Sequence, residues 1–417
     1  MNKAKVKKNV IVGFGGQLCI LVLGIIVPRV VLTNYGSDVN GLLSTITQIF
    51  TYMALLEAGV GQAAKNALYK PFSENDKNGI LFVASIARNY FRKLTVIYGI
   101  GVIALAVAAP FLLKSNVDSR TVFLVILFQG FAGVISFYFV QTQNIILAVD
   151  GRGYVNNTIN VANQILSYAA RIILAFLGVN IALIQFVYLI ITIAKSIVYR
   201  YYFRKRYSWI DYNQAPRTEK LKDRNAYIVT ELAWTIFSST DMIVLSTFIS
   251  TTLSSVYTVY NMVFTSLNGL LSAVYHSVVY MLGQTYHEDK EKYMRLHDAF
   301  TSIFLGSMTI LMCVAYVLII PFIRLYTNGV TDVEYIYTSL PIMFCLIQLL
   351  SWSRFVSGNL TGIAGYAKPT SYVSFAEAIV NLTISIIFVQ RYGIVGVTIA
   401  TVIALPIKVL WCIYVAD

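Results

Sequence analysis

Charge is scarce in this sequence: Asp, Glu, Lys and Arg make up 12% of its 417 residues, where an ordinary soluble domain carries about 25%. Hydrophobic residues reach 57%, more apolar surface than one water-soluble interior can hide. A soluble enzyme is thereby excluded. Cysteine is sparse too. Cys19, Cys313, Cys345 and Cys412 stand singly in apolar runs, with no CxxC spacing and no histidine cluster, so they supply neither a disulfide framework nor a metal site. A DxD pair, a glycine-rich phosphate loop and an HExxH are all missing, and no loop is long enough for an extramembrane catalytic region. No catalytic residue and no metal are expected, and the chain is not read as an enzyme. The only small partner implied in place of a cofactor is a coupling ion, Na⁺ or H⁺.

What is present is a succession of apolar runs near the ~20 residues that a helix needs to cross a bilayer. They predict twelve spans, at 10–33, 40–63, 94–113, 121–147, 154–178, 181–203, 225–249, 253–281, 300–323, 336–361, 369–390 and 393–415. All should be helices, because the bilayer offers no water to an unpaired backbone group. The basic leader MNKAKVKKN enters the first run without a small-residue cleavage site, so that span is read as retained. The twelfth ends almost at residue 417, which leaves room for a longer natural chain.

The basic balance, 32 Lys and Arg against 19 Asp and Glu, is read as topology rather than as nucleic-acid binding. With the N-terminus inside, inward segments hold 22 basic residues and outward ones 4 (Lys114, Arg120, Arg324, Arg391), a strong positive-inside bias. Both termini are expected in the cytoplasm, with the chain in the cell (cytoplasmic or inner) membrane. Segment 204–224 carries seven of the basic residues. The expected organisation is a six-helix lobe over 1–206, a basic cytoplasmic linker over 207–224 and a second six-helix lobe over 225–417.

The halves look like copies. Pro110-Phe111 recurs as Pro321-Phe322, Gly153-Tyr154 as Gly365-Tyr366 and Lys195 as Lys408, at offsets of 211, 212 and 213. An even number of spans per half gives both copies one orientation, related by an axis along the membrane normal, as in secondary transporters with a mid-membrane site between lobes. The predicted fold class is therefore an all-α polytopic membrane protein of about twelve helices in two pseudo-symmetric bundles.

Residues 26–80 carry the Pro28 kink, Gly41-Leu42, Leu56-Glu57-Ala58-Gly59 and LYKPFSEND at 68–76. With ILAVDGRGYVNN (146–157) and STDMIVLSTFISTTLSSVYTVYNM (239–262), this pattern resembles the Wzx-type polysaccharide flippases. These form a branch of the multidrug/oligosaccharidyl-lipid/polysaccharide (MOP) exporter superfamily. The resemblance implies alternating access that moves undecaprenyl-diphosphate-linked oligosaccharide repeat units to the outer leaflet for capsule, exopolysaccharide or O-antigen synthesis. It further implies membrane lipids and a polysaccharide polymerase or other assembly proteins as partners. A drug or metabolite exporter of the same superfamily and a peptidoglycan-precursor flippase are the alternatives; a lipid scramblase or non-transporting assembly factor would need no buried ionisable residues.

A diphosphate head suits a cationic, water-filled cavity, and an ionisable residue inside a span needs a paired or functional explanation, since it costs about 2.5–3.5 kcal/mol at the centre of a lone helix. The spans hold six bases and four acids. Arg29, Arg171, Lys195, Arg354 and Lys408 are the candidate substrate-binding cations, the two lysines singled out by their repeat positions. Arg200 reads as snorkelling to the headgroups, and Arg88, Arg92 and Lys93 as an interfacial cluster able to serve as a landing patch for a diphosphate. Asp241, after Ser238-Ser239-Thr240, and Glu377, with Asn381 one turn on, are candidates for ion coupling or for pairing with an Arg. Glu57 is a candidate gate or structural pair, and Glu231 a weak interface candidate. Tyr257, Tyr260 and Tyr275 have the chemistry to stack on sugar rings.

Overall fold

The computed structural model describes residues 3–210, 240–363 and 366–416, and no strand occurs among them. In chain order the helices are α1 (Lys3–Ser73), α2 (Lys77–Leu112), α3 (Ser119–Phe139), α4 (Gln141–Val149), α5 (Gly153–Phe176), α6 (Ile181–Arg206), α7 (Thr251–Glu288), α8 (Lys290–Tyr326), α9 (Leu340–Ile363) and α10 (Ala367–Ala416). Residues 240–248 form a further helical stretch ahead of α7.

Two of the expected turns are not loops. Spans one and two run on as α1, interrupted only at Gly36 with φ 83°, and spans eleven and twelve run on as α10, interrupted at Gly393 with φ 57°. Both angles lie in the left-handed region that only glycine enters cheaply. After Gly36 the helix restarts as at an N-cap: the Ser37 amide donates to Asp332 Oδ2 at 2.6 Å, the role an Asp at a helix start performs. Pro28 lies inside α1, and the break in helical backbone angles falls at Gly36, two turns later. Expected span four divides into α3 and α4 at Val140, whose amide still reaches back to Ser136 at 2.9 Å.

Among the described residues seven helices are long and apolar enough to cross a membrane, including the Cys19–Ala54 part of α1 and the Pro369–Val415 part of α10. The first overlaps expected spans one and two in part, and the second contains spans eleven and twelve. Expected spans eight and ten coincide with α7 and α9, and span seven lies mostly outside the described residues. The protein is a multi-pass membrane protein with an all-α fold. On α2, Val96, Ile97, Ile100, Ile103, Val107 and Phe111 form one exposed stripe, while Phe91, Leu94, Tyr98, Val102 and Ala106 are buried on the other side. An apolar face turned outward at helical spacing is a lipid-facing face.

The chain forms two compact units that interleave in sequence. The first comprises Met1–Tyr35, Ile49–Leu112 and Asn116–Glu231; the second comprises Gly36–Gln48, Leu113–Ser115 and Leu232–Asp417. A cut in the basic linker therefore does not separate them, and residues 211–224 of that linker lie outside the described residues. In the first unit α2, α3 and α6 pack together. A Cβ at Gly130 would collide with Val102, and one at Gly133 would lie 2.7 Å from the Tyr98 hydroxyl; these glycines let α2 and α3 approach. In the second unit, the Phe344 ring on α9 stacks with Tyr260 (5.9 Å, 11°) and Phe264 (5.3 Å, 6°) of α7.

Segment 36–48 is fastened inside the second unit by polar bonds. Ser37 Oγ donates to Asp332 Oδ1 at 2.6 Å and lies 2.6 Å from the Tyr335 hydroxyl. Asn40 Nδ2 donates to Ser255 Oγ at 2.8 Å, and Thr45 and Ser246 share a hydroxyl–hydroxyl bond. Gly41 meets the backbone of Thr251 so closely that a Cβ there would overlap the Thr251 carbonyl.

Candidate functional site

The second unit concentrates ionisable groups within its apolar interior. Arg354 on α9 is 3% exposed and Glu377 on α10 is 1% exposed; Arg354 Nη1 donates to both carboxylate oxygens of Glu377 at 3.0 Å. An uncompensated charge at such depth would be expensive, and the pair answers each charge with the other. Lys408, further along α10 and half-buried, lies within electrostatic reach of both. The cluster therefore holds two cations and one carboxylate. Among the described residues no carboxylate stands at ion-pair distance from Lys408 itself.

Asp241 belongs to a second, separate network. Its Oδ2 accepts from the Tyr257 hydroxyl at 2.8 Å and from Thr401 Oγ1 at 3.3 Å, and Asn381 Nδ2 donates to Thr401 Oγ1 at 2.9 Å. Two oxygens in this buried set, Asp241 Oδ1 and Asn381 Oδ1, have no hydrogen-bond partner among the described residues. Buried oxygens are ordinarily satisfied. The arrangement thus offers a carboxylate, an amide oxygen and hydroxyls to a proton or a small cation, without an Arg to neutralise the acid.

In the first unit, Glu57 on α1 accepts from Gln141 of α4. Gln141 in turn accepts from Asn144 at 3.2 Å, and Asn144 Oδ1 accepts from the Tyr199 hydroxyl at 2.9 Å. This chain ties α1, α4 and α6 together. Arg171 on α5 and Lys195 on α6 are half-buried, and among the described residues no carboxylate lies at ion-pair distance from either. Arg171 lies within electrostatic reach of Tyr168 and Tyr188. Arg29 is half-buried beside Pro28 on α1.

The structure brings Arg354, Glu377 and Lys408 together and keeps Asp241 apart from them. Glu377 and Asn381, adjacent on one helix face, serve different clusters. Of the hydroxyls expected around Asp241, Ser238 and Ser239 lie outside the described residues, as does Glu231; the partners found are Tyr257 and Thr401. The three tyrosines expected to meet sugar are occupied in the core instead. Tyr257 holds Asp241, Tyr260 donates to the Tyr335 carbonyl at 3.0 Å, and Tyr275 donates to the Phe355 carbonyl at 3.0 Å. Each is at most 8% exposed. Trp352 is buried and donates to Asn268 at 2.9 Å. Sequence reading missed Thr401 altogether, because a hydroxyl in an apolar run carries no pattern of its own.

No family model matches the chain, and no curated protein matches it. Solved structures do resemble it. A multidrug resistance MATE family transporter of the MOP superfamily, in an inward-facing conformation, is similar at a TM-score of 0.76 and 16% identity, with 94% of this chain and 93% of that one covered. The lipid II flippase MurJ, in an inward closed conformation, is similar at a TM-score of 0.70 and 15% identity, covering 98% of this chain and 87% of that one. A MOP superfamily transporter from Pyrococcus furiosus, whose binding pocket is described as having reverse polarity, is similar at a TM-score of 0.62 and 17% identity over 98% and 94%. The fold is that of the MATE and MurJ transporters of this superfamily.

Proposed function

We propose that the protein is a flippase that moves polyprenyl-diphosphate-linked oligosaccharide repeat units, of the Wzx type, from the cytoplasmic to the outer leaflet by alternating access. The observation that carries the reading is the lysine pair. Lys195 and Lys408 occupy corresponding places in the repeat and are half-buried, with no carboxylate at ion-pair distance among the described residues. The desolvation of a membrane-embedded ammonium is tolerated where it meets a water-filled path or an anion, and the diphosphate of a lipid-linked repeat unit is such an anion. Arg171 adds a third such charge. The MATE and MurJ-like fold supports a transport role, and an excess of bases over acids within the spans, six to four, does not suit export of cationic drugs. The lipid II flippase among the neighbours keeps the peptidoglycan precursor as the competing lipid-linked cargo.

Export of the repeat unit, measured in cells with membrane abundance alongside, tests this. Hydrogen bonds to charged groups contribute about 1.5–3 kcal/mol, so Lys195→Ala and Lys408→Ala should each weaken headgroup affinity about 10–100-fold. The double variant should lose export at normal abundance, because an uncompensated buried charge does not stabilise the fold. Arg substitutions should retain most of the effect. Wild-type export by the double Ala variant would overturn the role of the lysines, and rescue of lipid II transport without any repeat-unit export would reassign the cargo.

Asp241 is the proposed coupling residue for Na⁺ or H⁺, with Asn381 and Thr401 beside it. An amide at this position still accepts from Tyr257 and Thr401. Asp241→Asn should therefore keep abundance while abolishing the dependence of export on the ion gradient. Gradient-dependent export by the variant at the wild-type rate would remove Asp241 from that role.

A further inference from the structure

A cavity of about 540 Å³ opens in the first unit where α6 runs into its terminal Arg204-Lys205-Arg206. Four arginines line it: Arg88 and Arg92 from α2, Arg200 and Arg204 from α6. Each pair is spaced i, i+4, which puts both guanidinium groups on one helix face. Among the described residues no carboxylate lines the cavity. Tyr207, also in the wall, donates to Asp150 at 2.6 Å, but that carboxylate already takes Arg152 Nε at 2.5 Å and is committed to the neighbouring turn. Arg92 is half-buried, its guanidinium 5.3 Å from the Tyr138 ring, and its Nε is buried without a hydrogen-bond partner among the described residues. Four like charges converging on one cavity repel one another unless an anion joins them.

The opposite wall is apolar. Tyr138 and Phe139, at the end of α3, are 40% and 44% exposed. The lipid-facing stripe of α2 begins at Val96, one turn beyond Arg92. The cavity thus stands where a charged end of the unit meets the hydrocarbon-facing surface, the position in which basic pockets between spanning helices receive lipid headgroups.

We infer that this cavity binds a membrane lipid bearing two neighbouring phosphates, the arginine pairs of α2 and α6 holding the phosphates and the lipid chain leaving past Tyr138 and Phe139. Arginine presents a planar fork that matches phosphate oxygens two at a time, so two pairs match two phosphates. That chemistry has two sources, a polyprenyl diphosphate and a bis-phosphodiester lipid of cardiolipin type. The inference does not rest on the transport reading, because binding is measured without transport.

The test uses the purified full-length chain, stripped of lipid in neutral detergent, and follows its melting temperature against three probes: undecaprenyl diphosphate, cardiolipin and inorganic pyrophosphate. A ligand that binds only the folded state raises the melting temperature with its concentration. Saturable stabilisation by at least one of the two lipids is expected, with binding at least 10-fold weaker in the Arg200→Gln/Arg204→Gln variant. Both of those side chains are exposed, so the variant keeps the fold, and its unliganded melting temperature serves as the check. The arginine comparison is repeated in the Lys195→Ala/Lys408→Ala background, so that diphosphate held by the lysines does not enter the reading. Response to undecaprenyl diphosphate alone identifies the carrier lipid as the ligand, and response to cardiolipin alone identifies bulk anionic lipid; either supports the site. Pyrophosphate binding as tightly as the lipids would overturn the lipid assignment. Equal lipid binding by the wild type and the arginine variant would overturn the site.

Discussion

Placing any side chain at Gly41 should abolish the folded protein. The Cβ would overlap the carbonyl oxygen of Thr251, a backbone atom that no rotamer change can move aside. Overpacking in a core commonly costs about 1–3 kcal/mol when side chains can yield; here the strand of contacts from Ser37 to Thr45 would have to leave the second unit, so the loss should exceed that range. Gly41→Ala and Gly41→Val are both expected to disappear from the membrane fraction and from the monodisperse peak in detergent. Gly101→Ala is the control, because its Cβ would meet only the terminal methyl of Met53 at 2.9 Å, the far end of a flexible side chain. Gly41→Ala at wild-type abundance and melting temperature would refute this account of the close approach.

Glu377→Ala should be the second most damaging change, and worse than Arg354→Ala. Removing one partner of a buried ion pair costs about 3–5 kcal/mol because the other charge is left without compensation. Loss of Glu377 strands both Arg354 and Lys408, whereas loss of Arg354 leaves Lys408 within reach of the carboxylate. The double variant Arg354→Met/Glu377→Leu removes the charges together and should recover abundance relative to Glu377→Ala. Thermal melting of the three purified variants gives the order. If Glu377→Gln were as stable as the wild type yet lost the dependence of export on the ion gradient, Glu377 would be a coupling group and the structural pairing with Arg354 secondary.

The positions of the crossings were legible in the sequence because a bilayer demands runs of apolar residues, and that demand is local. The helix breaks were half legible. Gly36 and Gly393 mark the places where expected spans meet, but nothing nearby announces that helix resumes at once; for Gly36 the restart depends on Asp332, 295 residues away from Ser37. Lys195 and Lys408 were found by their repeat offset, whereas Arg354 and Glu377 looked like independent charges until two helices placed them together. The sequence singled out Asp241 but not its partners, since Thr401 comes from 160 residues downstream. The direction in which Tyr257, Tyr260 and Tyr275 point was not legible, because aromatic composition does not reveal whether a hydroxyl finds its partner inside the core. The membership of segment 36–48 in the second unit left no trace at all, as long-range pairing has no periodic signature.

That last feature sets the order in which the molecule can be completed during synthesis. Segment 36–48 is among the first parts made, yet its fastening waits for Ser255, Asp332 and Tyr335. At about 5–20 residues per second, the 295 residues between Ser37 and Asp332 take about 15–60 s to translate. Throughout that interval Ser37 and Asn40 are without their final partners. Segment 36–48 can therefore reach its final contacts only after residue 335 has been made. Co-expressing residues 1–210 and 211–417 as separate chains should restore a folded protein only when both are present, and a ribosome stalled before residue 332 should carry a chain in which segment 36–48 is open to protease.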